Sequence, residues 1–422
     1  MMDTQSGLGD LESGVVVGVT EYIEGKTGMD KVGVKAKDDY TVEYTLVQPC
    51  SYFLTTLEYS AYAPLCTEYY ESKGGKYGSE YDATCQYGQT KDDIAYCGPY
   101  ICTAATKEKE MVFSANESYY APEKRNVNTI KFVLEDGTDQ TKAYEDCKAG
   151  VISSVALVDA TVKLAKKEKL FDEGVVYTAP TDATSFMAFI NVNRYATANT
   201  NDKTTVVSNR DADDIKKTST ALKNVHARRA LCTALDRTKW NAQKNGDELA
   251  GLGKFAKGTY YGEIVQAQLD KDGVPITVWK KDKPIQEAGS GYDGWYNAEY
   301  AKSEMAKAVE ELKAEGIEIT KENPLRVDLP YNSADATFSN CANAFKKSVE
   351  ASVDGLIEVN LVKCSDDNQW YYAGYLTQYG WEANYDIYDL SGWGPDYGDP
   401  STYLKTFLPD YAGYMIKCIG IY

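Results

Sequence analysis

The stretch from Leu325 to Lys363 constrains the fold more than any other part of the chain. LRVDLPY (325–331) is an apolar run of strand length, and LIEVNLVK (356–363) is a second. Between them, residues 334–353 carry Phe338, Cys341, Phe345, Val349 and Val353 at helical spacing. Strand, helix and strand succeed one another as in a βαβ crossover, so this part of the chain is expected to be α/β. A further helix is expected over AEYAKSEMAKAVEELKAEG, with Met305, Ala308, Val309 and Leu312 on one stripe, Asn297 as its cap and Gly316 as its stop.

The first half reads differently. KVGVKAKDDYTVEYTLV alternates apolar and polar residues on both sides of Asp38 and Asp39, which predicts two strands about a turn. Further strands are expected at GPYICTA, KEKEMVFSAN, NTIKFVLE and SFMAFINVN, each bounded by turn-forming or charged residues. Residues 197–217 are polar and weakly periodic, as an exposed excursion would be. A second irregular tract is expected from about Ala242 to Asp293, where Gly, Lys and Asp accumulate. The chain shows no fixed-period repeat and no long low-complexity tract.

Composition removes several classes of function. With 63 Asp plus Glu against 45 Lys plus Arg in 422 residues, the net charge of −18 repels a phosphate backbone and an anionic membrane, so no nucleic-acid partner is expected. No run of about 18 apolar residues occurs. The first residues, MMDTQSGLGDLESG, lack the basic and apolar regions of an export signal. The single histidine, His226, lies in the helical stretch NVHARRALCTALDR and is read as a surface or interhelix residue rather than a ligand; no metal site and no cofactor are expected. Ten cysteines without any CxxC are read as small buried hydrophobes in a reducing or anaerobic setting.

Motifs for catalysis are weak. GSGYDG at Gly289 and GLGKFA at Gly251 match a dinucleotide fingerprint by letters alone, for the lead-ins KPIQEA and GDELA are polar rather than buried strands. RDADD around Asp211 lacks the glycine and closing glutamate of a calcium loop. Acid pairs such as Asp386 with Asp389 leave a carboxylate-dependent glycosidase as an alternative.

The distinctive feature is amphipathic aromatic surface: 35 Tyr against 10 Phe, with Trp and Tyr crowded between Trp370 and Tyr397. Rings with hydrogen-bonding tips suit a ligand that is itself amphipathic, such as a peptide or a sugar. Within this region YDIYDLSGW predicts a strand running into a Gly-rich turn, and Asp399-Pro400-Ser401-Thr402 favours a helix start. Such a turn can present Trp393 and Asp396 to a cleft, where a carboxylate beside an aromatic wall suits a primary ammonium group. Asp399 is expected to cap the helix that follows.

Taken in order, VGVKAKDDYTVEYTLVQPCSYFL, CGPYICTAATKEKEMVFSANESYYAP, NTIKFVLEDGTDQTKAYEDCKAG, HARRALCTALDR and SGWGPDYGDPSTYL resemble the peptide-binding solute-binding proteins of ABC importers, extracellular solute-binding family 5. Cys97 departs from that pattern, standing where a residue such as Asn is usual before GPY. The resemblance implies an α/β, two-lobed clamp of the type II periplasmic-binding-protein kind with an extra small subdomain. On this basis residues 1–62 are the remainder of the small subdomain, 63–190 an incomplete sheet-rich first lobe and 191–422 an α/β second lobe incomplete at its C-terminus.

It further implies a non-enzymatic, monomeric receptor that captures short peptides between its lobes and delivers them to membrane permease subunits. An oligosaccharide or another solute is the alternative within the same fold. Carried over by motif, Asp396 binds the peptide α-amino group, Trp393 lines a side-chain pocket, and Gly392 and Gly394 allow close backbone approach. Trp370 is a pocket aromatic, and Tyr397 a wall or core residue. A complete member would be an extracytoplasmic lipoprotein. The matching motifs begin inside the small subdomain and stop soon before Tyr422, so the chain is expected to be an internal fragment.

Overall fold

The computed structural model describes residues 14–59, 62–76, 84–177, 185–197, 208–245, 296–374, 379–399, 401–402 and 419–421. The chain forms two compact units, one of residues 1–135 with 396–402, the other of residues 136–395 with 403–422. The break expected at 190/191 falls inside the second unit, because the strand ending there pairs with a strand some 200 residues later. The other expected break, at 62/63, falls inside the first unit.

In the first unit, α1 (Val19–Ile23) precedes an antiparallel hairpin of β1 (Val34–Asp38) and β2 (Thr41–Tyr44). The turn forms where sequence placed it, with the Asp38 carboxylate accepting the Tyr40 N–H at 2.9 Å. Val15, Val16, Val19 and Val32 pack with Phe53 of α2 (Phe53–Thr56) into a small core. Gly18 enters α1 at φ +76°, and a Cβ there would lie 2.4 Å from the Lys31 carbonyl oxygen, so only glycine fits. After α3 (Thr67–Ser72), the strands β3 (Tyr100–Thr106), β4 (Glu110–Ala115) and β5 (Thr129–Val133) form an antiparallel sheet in that order.

The second unit carries α4 (Lys142–Lys148), α5 (Asp159–Lys167), β6 (Ser185–Ile190), α6 (Ala212–Ala221), α7 (Val225–Ala234), α8 (Arg237–Asn245) and α9 (Ala298–Ala314). β7 (Leu325–Asn332), α10 (Ala336–Ser352), β8 (Ile357–Cys364), α11 (Asp367–Ala373) and β9 (Ile387–Trp393) follow. β7 and β8 pair in parallel across α10, from Leu325 opposite Ile357 to Asn332 opposite Cys364, which is the crossover expected from the sequence. The Asn297 side chain caps α9 by accepting the Tyr300 N–H at 2.9 Å, and Gly316 follows its end at φ +84°.

α9 buries Ala301, Met305, Ala308 and Leu312 in a core shared with α7, α10 and the β7–β8 pair. Full burial of a Met or Leu side chain contributes about 1.5–3 kcal/mol each, so this stripe fixes the helix. The excursion expected over residues 197–217 is corrected from residue 208 onward. Asp211 caps α6 by accepting the Asp214 N–H at 2.8 Å, and Arg210 is buried beside it. The weak periodicity hid this helix because its inward face is largely Thr, Ser and Ala around Ile215. The glycine motifs at Gly251 and Gly289, and most of the tract from Ala242 to Asp293, lie outside the described residues. No helix among the described residues is long and apolar enough to cross a membrane.

Candidate functional site

β9 is antiparallel to β6, with Ile387 opposite Ile190 and Trp393 opposite Ser185. Gly392 lies opposite Phe186 near the strand's end, and the half-buried Gly394 follows it. Two residues later the chain joins the first unit, at Asp396. Positions 393 and 396, expected together on one lobe, therefore fall in different units.

The segment from Asp396 to Thr402 is tied down locally. The Asp396 N–H donates to Thr402 Oγ1 at 3.0 Å, and the Asp399 carboxylate accepts the Ser401 N–H at 2.9 Å, the local turn contact expected of a residue opening a helix. Tyr397 is buried, stacked on Tyr52 with centroids 4.3 Å apart and planes 16° from parallel. Burial pushes its phenol up to about 12, so Tyr397 packs as a neutral wall of the first unit. Asp396 itself is half-buried. Burial raises its carboxyl above the ordinary Asp value, opposed only by a hydrogen bond from Thr402, and no cationic side chain among the described residues compensates its charge.

Behind β9 the second unit holds the opposite arrangement. Asp328, in the middle of β7, and Asp386, just before β9, are fully buried, as are Arg194 and Arg210. Arg194 Nη1 donates to Asp328 Oδ2 at 2.7 Å and to Asp386 Oδ2 at 3.0 Å, and Arg210 Nη1 donates to Asp386 Oδ2 at 2.6 Å. Ser208 and Asn360 complete the shell of Asp328, at 2.6 and 2.5 Å. Burial acts against the Asp328 charge, yet Arg194 and Arg210 outweigh it and hold the carboxyl below its ordinary value. Asp386 N–H and side chain both bond the Asp328 backbone, so the network fixes β9 onto β7. Asp386 is thereby removed as a glycosidase acid: it is closed to solvent and hydrogen-bonded to two guanidiniums, although burial still pushes its carboxyl above the ordinary value.

Sequence reading missed this network. Its one signal is Asp328 within the apolar run LRVDLPY, since an acid at the centre of a buried strand requires a partner.

Trp370 stands in α11, 1 % exposed, with its Nε1–H donating to the Pro330 carbonyl at 3.1 Å and its ring against Phe338 and Tyr388. Its place is in the second unit's aromatic core rather than on a surface. His226 is an interhelix residue, as expected: its Nδ1 lies 2.6 Å from Glu304 Oε2 of α9. Among the described cysteines, Cys102, Cys341 and Cys364 are buried, whereas Cys66 and Cys97 are exposed, against the expectation of uniform burial. The described residues contain no group of three or more His, Cys, Asp or Glu able to hold a metal ion.

The profile of "Bacterial extracellular solute-binding proteins, family 5 Middle" matches residues 17–414. The chain belongs to this family. Among curated family 5 relatives, it is 32 % identical to the oligopeptide-binding protein SarA of Streptococcus gordonii, over 93 % of this chain and 57 % of that protein. It is 31 % identical to AmiA of Streptococcus pneumoniae, over 92 % and 57 %. The chain thus spans little more than half the length of these relatives.

Among solved structures, Listeria monocytogenes OppA bound to peptide superposes with a TM-score of 0.64 at 20 % identity, over 99 % of this chain and 68 % of that one. The substrate-binding domain of a Bacillus anthracis oligopeptide ABC transporter gives 0.66 at 18 %, over 99 % and 67 %. The fold is accordingly the two-lobed α/β fold of the family's substrate-binding proteins.

Proposed function

We propose that the protein is the substrate-binding component of a peptide ABC importer, a receptor and not an enzyme, and that Asp396 accepts the α-ammonium group of a short peptide. The observation that carries this reading is the half-buried Asp396 carboxylate, raised by burial and without a cationic partner among the described residues. A carboxylate kept in that state gains most from an incoming ammonium ion, which supplies both the missing charge and the missing donors. Membership of family 5 and the oligopeptide-binding names of the relatives support peptide as the ligand class.

Trp393, at the end of β9, lines a side-chain pocket in this reading, with Gly392 and Gly394 leaving room for the peptide backbone. Trp370 supports β7 and β9 from within, and Tyr397 holds the Asp396 segment rather than touching ligand. Peptides are captured between the lobes and passed to permease subunits, the receptor working as a monomer anchored by lipid outside the cytoplasmic membrane.

The test is calorimetric titration with tripeptides and their N-acetylated twins. A charge-assisted hydrogen bond contributes roughly 1.5–3 kcal/mol, so acetylation is expected to weaken binding by about 10- to 100-fold. Equal affinity for both forms would remove Asp396 from the site. Absence of heat with any peptide, from a chain that melts cooperatively, would remove peptide as the ligand.

A further inference from the structure

The motif that opens the family resemblance and the motif that closes it meet in the first unit. PCSYFLTT follows the β1–β2 hairpin, and DYGDPST follows β9. The Gly398 N–H donates to Thr55 Oγ1 at 2.8 Å across 343 positions of sequence. The Thr55 hydroxyl donates its own proton to the Tyr52 carbonyl at 2.7 Å. With its single proton so committed, the hydroxyl turns a lone pair toward Gly398, and the contact has one orientation. Tyr52 then stacks flat on Tyr397. A Cβ on Gly398 would lie 3.3 Å from Thr55 Cγ2 and 3.4 Å from Oγ1, so the backbone approaches Thr55 more closely than most side chains allow.

The platform beneath this clasp is itself fixed. Phe53 and Thr56 of α2 are buried, and the Phe53 ring packs edge-on against Tyr44 of β2 at 5.2 Å. Asp396 is therefore restrained from two sides: its own N–H is held by Thr402, and its next two residues are held by Tyr52 and Thr55. A carboxylate that must meet an ammonium group at hydrogen-bond distance loses much of the interaction if its backbone wanders by an ångström.

We propose that Thr55 and Tyr52 are positioning residues for Asp396, setting the receptor's preference for a free peptide N-terminus without touching the peptide. The proposal rests on the reading of Asp396 given above. It is tested with Thr55→Val, which removes the acceptor at nearly constant volume, and Thr55→Ser, which restores it. Each is titrated with a free tripeptide and its N-acetylated twin, and hydrogen exchange is followed in the fragment spanning Asp396 to Thr402.

Thr55→Val is expected to accelerate exchange there and to weaken the free peptide about fivefold, the worth of one ordinary hydrogen bond. The acetylated twin should bind unchanged, and Thr55→Ser should recover both readouts. Equal weakening of both peptides by Thr55→Val would mean general loosening and would overturn the proposal. Faster exchange with unchanged selectivity would overturn it as well, leaving a clasp that positions nothing. A wild-type receptor indifferent to acetylation would end the Asp396 reading and this proposal together, with protection at Gly398 showing that the clasp itself forms.

Discussion

Acids withdrawn wholly or partly from solvent occur on both sides of the Pro395–Asp396 junction, and they are treated in opposite ways. Asp328 and Asp386 in the second unit are closed off, Asp328 meeting one guanidinium and Asp386 two within hydrogen-bond distance. Asp396 is half-exposed and, among the described residues, meets a neutral hydroxyl and no cation. A carboxylate whose counter-charge lies within the fold serves the fold. One that lacks a counter-charge, in a segment fastened on both sides, is stable only because water still reaches it, and it is available to a ligand that brings the charge.

The sharpest way to break this comparison is to remove one acid of each kind. Asp328→Ala takes the buried carboxylate acceptor from Ser208, one of two carboxylate acceptors from Arg194 and one of two acceptors from Asn360, and loss of one partner from a buried ion pair costs about 3–5 kcal/mol. Urea unfolding should show a loss of that size; a loss below about 1 kcal/mol would mean the pairs are not carrying β7 and β9. Asp396→Asn should do the reverse. The carboxyl is raised in the folded chain, so its ionisation costs stability above the ordinary Asp range, and neutralising it should leave stability at pH 7 unchanged or higher. The same variant should weaken free tripeptides about 10- to 100-fold. A variant that unfolds more easily than wild type would place Asp396 among the structural acids instead.

What the sequence made legible follows the same division. The β7–α10–β8 crossover and the capped α9 were readable because their determinants are local: apolar spacing, Asn297 before the helix and Gly316 after it. The hairpin at Asp38 was readable for the same reason. The charge network was not, since Arg194, Arg210, Asp328 and Asp386 meet only after distant segments fold, and nothing in RDADD distinguishes a buried arginine from a solvated one. Asp396 was singled out by its motif, yet the motif gave no hint that residues 396–402 leave β9's unit for the other. That assignment depends on Tyr52 and Thr55, which no local pattern connects to Gly398.

Acid separates Asp328 from Asp396 by pH. The folded-state value of Asp328 is depressed, so its contribution is fully present above the unfolded value, about 3.9, and is lost as pH falls through the lower folded value. The raised value of Asp396 means that protonation, and with it loss of the ammonium contact, begins at a higher pH than for an exposed Asp. Peptide affinity is therefore expected to fall on acidification before the stability that Asp328 contributes to the second unit is lost. Titrations from pH 7 toward 4, with circular dichroism on the same samples, would show the two losses in that order. Coincident loss would tie binding to the fold rather than to Asp396.

The smallest effect sharpens the comparison within the aromatic residues. Trp370→Phe removes the hydrogen bond to the Pro330 carbonyl and part of the ring that packs on Phe338 and Tyr388. The orphaned carbonyl and the unfilled space together should cost about 1–3 kcal/mol, seen as a lower urea midpoint with an unchanged m value. Because Trp370 is 1 % exposed, peptide affinity should stay within about twofold of wild type. A selective loss of peptides with large side chains, at unchanged stability, would return Trp370 to the pocket that the sequence assigned it and would mean that α11 rearranges when ligand arrives.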